Sequence, residues 1–198
     1  MTCEHAPAAQ IDTIVRQAGF DQSPFSVLAR QISTPQSPVH HPEGNVWNHT
    51  LLVVDRAAAR QSFSAYSRAF MWAALLHDIG KPDTTKKRRG RITAYDHDRV
   101  GGDLARALLQ LVTEDTVFLE TVVGLVRYHM QPLYVVKELP FQDIAGMRAQ
   151  TNITEVALLS YCDRLGRGSV DRRAEAQAVI TFLKKCNERT DFTWLKQE

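Results

Sequence analysis

The chain has three cysteines, Cys3, Cys162 and Cys186, odd in number and widely spaced, and no Cys-x-x-Cys pair. That usage indicates neither a disulfide framework nor a thiolate zinc site. Long apolar runs are also missing: the longest, from Ala69 to Leu76, is far too short to cross a bilayer. The opening residues Met1-Thr2-Cys3-Glu4-His5 offer neither a basic region nor an apolar stretch, so no secretory signal is read there and a cytoplasmic location is expected. His5 reads as tail. Net charge is scarce at +2, so nucleic-acid binding cannot be argued from overall charge and must rest on local clusters. No Ser or Cys nucleophile motif and no internal repeat are found.

What is present is the composition of a soluble globular protein, 44% hydrophobic and 23% charged over 198 residues. A length of this order fits one domain. Apolar residues recur at helical spacing over 8–18, 24–32, 66–78, 96–112, 115–130, 153–165 and 171–186, with a short connecting helix expected over 141–148. Asn45 is placed to cap a helix that carries His49 in its first turns. The stretch 83–96 reads as loop-like, with a short extended piece over 91–95, and no β-sheet is expected from it. The fold class is therefore all-α, a helical bundle. Residues 1–40 are read as an N-terminal helical cover, 41–168 as the core, and 169–198 as a closing helix and tail.

The chain is organised around Leu75-Leu76-His77-Asp78-Ile79-Gly80-Lys81-Pro82. Adjacent helical residues point about 100° apart, so two neighbours can serve one ion only where a helix ends. Gly80 is expected in the left-handed C′ position and Pro82 cannot continue the helix, which places that end at His77-Asp78. An imidazole beside a carboxylate suits Mn, Fe, Ni, Co or Zn, with Mg admitted as a harder alternative. Other helices carry comparable residues on apolar stripes. His97 is in register with Val100, Leu104, Leu108 and Leu111, His129 with Phe118, Val122 and Leu125, and Asp163 with Val156, Leu159 and Ser160. A carboxylate on such a stripe costs several kcal/mol, roughly, unless a partner neutralises it.

In the order His49, then His77-Asp78, then Asp163, the sequence resembles the HD superfamily of metal-dependent phosphohydrolases. Three segments carry the likeness: His41-Pro42-Glu43-Gly44 before Asn48-His49-Thr50-Leu51; His77 to Pro82; and Ala157-Leu158-Leu159-Ser160 before Asp163-Arg164-Leu165-Gly166-Arg167-Gly168. They are most similar to the HD domain of bacterial multifunctional CCA-adding proteins. The nucleotidyltransferase half of such proteins is not represented, since no Gly-Ser plus paired-aspartate motif occurs, so CCA addition is not implied. The resemblance implies His49, His77, Asp78 and Asp163 as metal ligands and Asp78 as catalytic, with one or two divalent ions. His97 and His129 stay open to three readings: second-metal ligands, phosphate donors or core histidines. Lys81 is expected as a phosphate-binding and acid group. Arg164, Arg167 and His41 are expected to contact substrate, and His40 is left as surface.

The implied activity is hydrolysis of a nucleotide phosphomonoester or phosphodiester, in the manner of a phosphatase or 2′,3′-cyclic phosphodiesterase. A non-catalytic nucleotide-binding module and an RNA-end phosphoesterase are the alternatives. The Gly-Tyr-Pro signature of cyclic-dinucleotide enzymes is absent. The basic run Lys86-Lys87-Arg88-Arg89-Gly90-Arg91 reads first as a solvated loop. It contains no interleaved aromatic for stacking single strands. A small-molecule nucleotide is therefore favoured over RNA, and no membrane partner is expected.

Overall fold

The structure, a computed structural model, describes residues 7–168, 170–188 and 193–195. Cys3, His5 and most of the polar tail lie outside them. The elements run α1 (Ala8–Val15), α2 (Val46–Ala58), α3 (Ser67–Leu76), α4 (Lys81–Thr84), β1 (Thr85–Arg88), β2 (Arg91–Ala94), α5 (His97–Gln110), α6 (Thr116–Tyr128), α7 (Gln131–Val136), α8 (Ile144–Gln150), α9 (Ile153–Leu165) and α10 (Arg172–Lys185). A 3₁₀ segment, Pro24–Ser33, follows α1 where an α-helix is expected. Among the described residues no helix is long and apolar enough to cross a membrane.

Local chemistry sets the helix starts. The side chain of Asn45 accepts from the Asn48 amide, Asp115 from Phe118, Asn152 from Thr154 and Glu155, and Asp171 from Ala174. Each cap stabilises its helix by about 1 kcal/mol. α5 and α6 form a closely packed pair, α3 lies against α2 and α6, and α9 packs between α2 and α10. Alanines 69, 73 and 74 on α3 are buried and let these neighbours approach closely. α9 buries nearly its whole circumference, with Glu155 through Asp163 all inside, as a central helix must when it has neighbours on every side. Its expected single stripe of Val156, Leu159, Ser160 and Asp163 is thus only part of its buried surface. The N-terminal segment covers α2: the Trp47 indole donates to Asp12 at 2.6 Å, and the Ala8 amide to Asp55 at 3.0 Å.

Five expectations are corrected. The stretch 83–96 contains an antiparallel hairpin, with Thr85 paired to Ala94 and Arg88 to Arg91. Its two-residue turn puts both Arg89 (φ 47°) and Gly90 (φ 77°) in the left-handed region, as a type I′ turn requires. Gly80 is not left-handed: its φ is −81°. What demands glycine there is space, since a Cβ would lie 2.2 Å from the His97 carbonyl oxygen and 2.6 Å from the Gly101 amide. Pro82 does not simply stop a helix, because it occupies the first turn of α4, where a missing N–H costs nothing. Leu111, placed on the inner stripe of α5, is 72% exposed because the helix ends at Gln110. The short helix expected over 141–148 begins at Ile144, and α7 was not anticipated.

Candidate metal centre

The five ligand-bearing segments all present their residues at or near helix ends. His49 stands in the first turn of α2, His77 and Asp78 just past α3, His97 at the first position of α5, His129 just past α6, and Asp163 near the end of α9. Gly80 makes one of these convergences possible, because it admits the backbone of α5 to contact distance and so carries His97 towards Asp78. All six residues are buried.

Asp78 lies between two groups. Its Oδ2 is 3.2 Å from His77 Nε2 and 3.9 Å from His49 Nε2; its Oδ1 is 3.5 Å from His97 Nε2 and 3.9 Å from His129 Nε2. Asp163 Oδ1 joins the first group, 2.9 Å from His49 Nε2. The backbone fixes the tautomers. Nδ1 of His77, His97 and His129 donates to the carbonyl three residues earlier, Ala74, Ala94 and Val126, at 2.9, 2.7 and 2.7 Å. A carbonyl can only accept, so each Nδ1 carries the hydrogen and each neutral ring turns an Nε2 lone pair to the centre. This makes the 3.2 Å approach of His97 Nε2 to His129 Nε2 a meeting of two lone pairs, unfavourable unless a cation or proton lies between them.

The electrostatics agree with ligand-ready protonation. Burial lowers the pKa of His97, and it pulls His129 down to about 4, aided by the neighbouring His97 and His77. Burial pushes Asp78 upward, but Lys81, His77 and His97 more than offset it and hold the carboxyl well below its usual range. Arg167 and His49 do the same for Asp163. Two ionised carboxylates therefore stand beside the neutral imidazoles of His97 and His129, whereas at His49 burial lowers the pKa but Asp163 and Glu43 more than offset it and raise it. His77 Nε2 is buried without a hydrogen bond, a costly state for a polar atom that an ion would relieve. Among the described residues three clusters have donor atoms close enough to hold an ion: His49, His77 and Asp78; Asp78, His97 and His129; and, behind His49, His41, Glu43 and His49. Nitrogen with carboxylate oxygen is a donor set that divalent transition metals accept well.

A cleft of about 170 Å³ opens onto Asp78, His97, His129 and Asp163, with Lys81 and Arg167 in its wall. Lys81 Nζ is 2.7 Å from Asp78 Oδ2 and donates to Gln36 at 2.6 Å. Arg167 lies 3.8 Å from Asp163. His41 also lines the cleft, as does His40, which is exposed at the rim. Arg164 is not brought there: it pairs with Glu175 of α10 at 3.2 Å, which removes it from the expected substrate contacts. Two residues that sequence reasoning undervalued are central to the arrangement. Glu43, marked in the sequence only as part of the segment His41 to Gly44, is buried with Oε1 2.8 Å from Nδ1 of both His41 and His49, and His41 and His49 together hold its carboxyl below the ordinary range against the effect of burial. Gln36, between Pro35 and Ser37, belongs to no motif in the sequence. Cys162 and Cys186 are buried free thiols away from the cleft, and burial pushes Cys162 up to about 12.

The family profile described as HD domain matches residues 46–168. Among curated proteins the chain is 32% identical over 159 residues to a multifunctional CCA protein of Aromatoleum aromaticum, covering 76% of this chain and 37% of that one. A multifunctional CCA protein of an Azoarcus species is 30% identical over 171 residues, covering 82% and 40%. One from Halorhodospira halophila is 33% identical over 127 residues, covering 64% and 29%. The chain thus spans well under half the length of these relatives.

Proposed function

The chain belongs to the HD domain family, and on that footing we propose that it is a metal-dependent phosphohydrolase acting on a phosphomonoester or phosphodiester of a nucleotide. The observation that carries this reading is the single carboxylate of Asp78 shared between two sets of imidazoles at the floor of a cleft walled by cations. His49, His77, Asp78 and Asp163 would hold one divalent ion. Asp78, His97 and His129 would hold a second. When bound, such ions supply Lewis acidity, lowering the pKa of the attacking water to about 7 and polarising a phosphoryl oxygen.

The chain's own residues do the rest. The three backbone carbonyls behind His77, His97 and His129 keep those rings aimed inward and their Nε2 atoms free of hydrogen. Glu43 orients His49 from behind, as a carboxylate behind a ligand imidazole commonly does. Lys81, held between Asp78 and Gln36, and Arg167 place positive charge where the equatorial phosphoryl oxygens gather charge in an in-line displacement. Lys81 is also the cleft ammonium nearest to Asp78, which suits it to give a proton to the departing oxygen. His41, its Nδ1 occupied by Glu43, lines the entrance and would touch the substrate.

The test is a substrate panel on protein reloaded with Mn, Fe, Ni, Co, Zn or Mg after chelation, covering nucleotide monophosphates, 2′,3′-cyclic nucleotides and linear diesters. Release of phosphate from a monoester, or opening of a diester to a monoester and an alcohol, with at least one metal and abolished in Asp78→Asn, is the expected outcome. Nucleotide binding with no release at any metal would identify a binding module instead and overturn the hydrolase reading.

A further inference from the structure

The hairpin β1–β2 rises beside the cleft, with Thr85, Ile92, Thr93 and Ala94 forming part of its wall. Strand alternation then sorts its charges. Lys87 shares one face with Thr85, Ile92 and Ala94, while Lys86, Arg88 and Arg91 share the other with Thr93 and with Tyr95 just beyond β2. All five cations of the hairpin, Arg89 included, are exposed. Asp83, which precedes it, is taken up by Arg30, and among the described residues no carboxylate lies within 4.0 Å of any of the five. The hairpin is also less purely basic than its sequence suggests: the Arg88 guanidinium lies 4.7 Å from the centre of the Tyr95 ring, and Tyr95 remains 63% exposed. One face of that ring carries a cation while most of the residue stays in solvent.

Resting on the hydrolase reading, we infer that this hairpin is a docking arm for a single-stranded polynucleotide whose terminal phosphate enters the cleft. A row of unpaired cations continuous with a phosphoester site matches a chain of phosphates, and an exposed aromatic backed by arginine offers a base a surface on which to stack. A membrane surface fits less well, because the tip of the hairpin is Arg89-Gly90, with no apolar side chain to insert. Strands rise about 3.3 Å per residue, so the hairpin carries its cations over roughly 10 Å, from Thr85 and Ala94 at its base to Arg88 and Arg91 beside the turn. A polynucleotide leaving the cleft runs along that length within a few nucleotides, whereas a mononucleotide held at Asp78 has no further phosphates to place there.

The experiment compares wild type with a quadruple variant, Lys86→Gln, Lys87→Gln, Arg89→Gln and Arg91→Gln, whose members have no partner to lose, and separately with Tyr95→Ala. Binding of a ten-nucleotide 3′-phosphorylated single strand is followed by fluorescence anisotropy across salt, with metal-free protein. Its kcat/KM is then measured relative to a 3′-phosphorylated mononucleotide with metal restored. The log-log salt slope should fall by about 0.7 for each phosphate contact removed, about 2 for three contacts. The ratio of oligonucleotide to mononucleotide kcat/KM should drop at least tenfold. Tyr95→Ala should weaken oligonucleotide binding at least fivefold with little change in salt slope. An unchanged slope, an unchanged ratio, or stronger binding to phosphatidylserine vesicles than to the strand would overturn the arm. Should no substrate be hydrolysed with any metal, the hydrolase reading fails, and the metal-free anisotropy decides the docking arm by itself.

Discussion

Lys81 and Lys86 are five residues apart and obey opposite rules. Lys81 is 9% exposed and clamped between Asp78 and Gln36, whereas Lys86 stands in solvent with no carboxylate of the described residues in reach. Between them, α4 and the first residue of β1 carry the chain from the floor of the cleft to its rim. A buried charge is tolerable only with a partner, so its position is fixed and its field acts on one spot. An exposed charge is screened within about a Debye length and counts only in numbers, along an extended ligand. The same division separates Arg167, beside Asp163 in the cleft wall, from Arg88, Arg89 and Arg91 on the hairpin. Chemistry belongs to the first set and reach to the second.

The comparison breaks most severely if the buried carboxylate at its centre is dispensable. Asp78→Ala should abolish bound metal and lower phosphate release at least ~100-fold while the helical circular dichroism survives, since ligand loss exceeds the 10–100-fold typical of a supporting residue. Full turnover in that variant would place the chemistry elsewhere. Glu43→Ala comes next. By freeing His49 Nδ1 it should weaken metal binding by about 10–100-fold in a competition assay with a chromophoric chelator. Glu43→Gln, which keeps one acceptor oxygen, should lose less.

Gly80→Ala tests whether the close approach of α5 to the His-Asp segment matters. Its Cβ would collide with the His97 carbonyl, so a loss of about 1–3 kcal/mol in urea unfolding is expected, as for other overpacked sites. The smallest effect lies far from the cleft. The Trp47 indole bond holds the Asp12 carboxyl below its ordinary pKa, with Arg16 adding to it. A depressed carboxyl contributes stability above its unfolded pKa and loses it as pH falls through the folded one. The stability gap between wild type and Asp12→Asn, about 1 kcal/mol or less for one hydrogen bond, should therefore be present at pH 7 and shrink on acidification in parallel urea titrations.

Much of the framework was legible because periodicity and caps agree. Asn45, Asp115 and Asp171 each precede a helical stripe, and each caps its helix in the structure. His129 and Asp163 could be aimed inward from the apolar residues one or two turns before them, and both are buried at the cleft. The hairpin escaped notice because five cations in six residues hide any alternation, and an Arg-Gly turn is a weaker signal than Asn-Gly although it adopts the same left-handed pair. Gly80 was rightly marked but for the wrong cause: a backbone contact with a helix some twenty residues later leaves no local trace. Glu43 and Gln36 owe their roles to segments brought together only by folding, so their residue types alone could not reveal them. Arg164 sat in the right motif, yet one step along α9 from Asp163 turns its side chain to α10 and Glu175.

The central claim is that ions at the Asp78 cluster make the chemistry possible. Metal-free protein can be titrated with Mn²⁺ in a calorimeter while release of phosphate from a nucleotide is followed in matched samples. The account predicts no release without metal, and release that rises with occupancy to a plateau at one or two ions per chain. Full release from thoroughly chelated protein, or hydrolysis that persists while no ion binds, would contradict it.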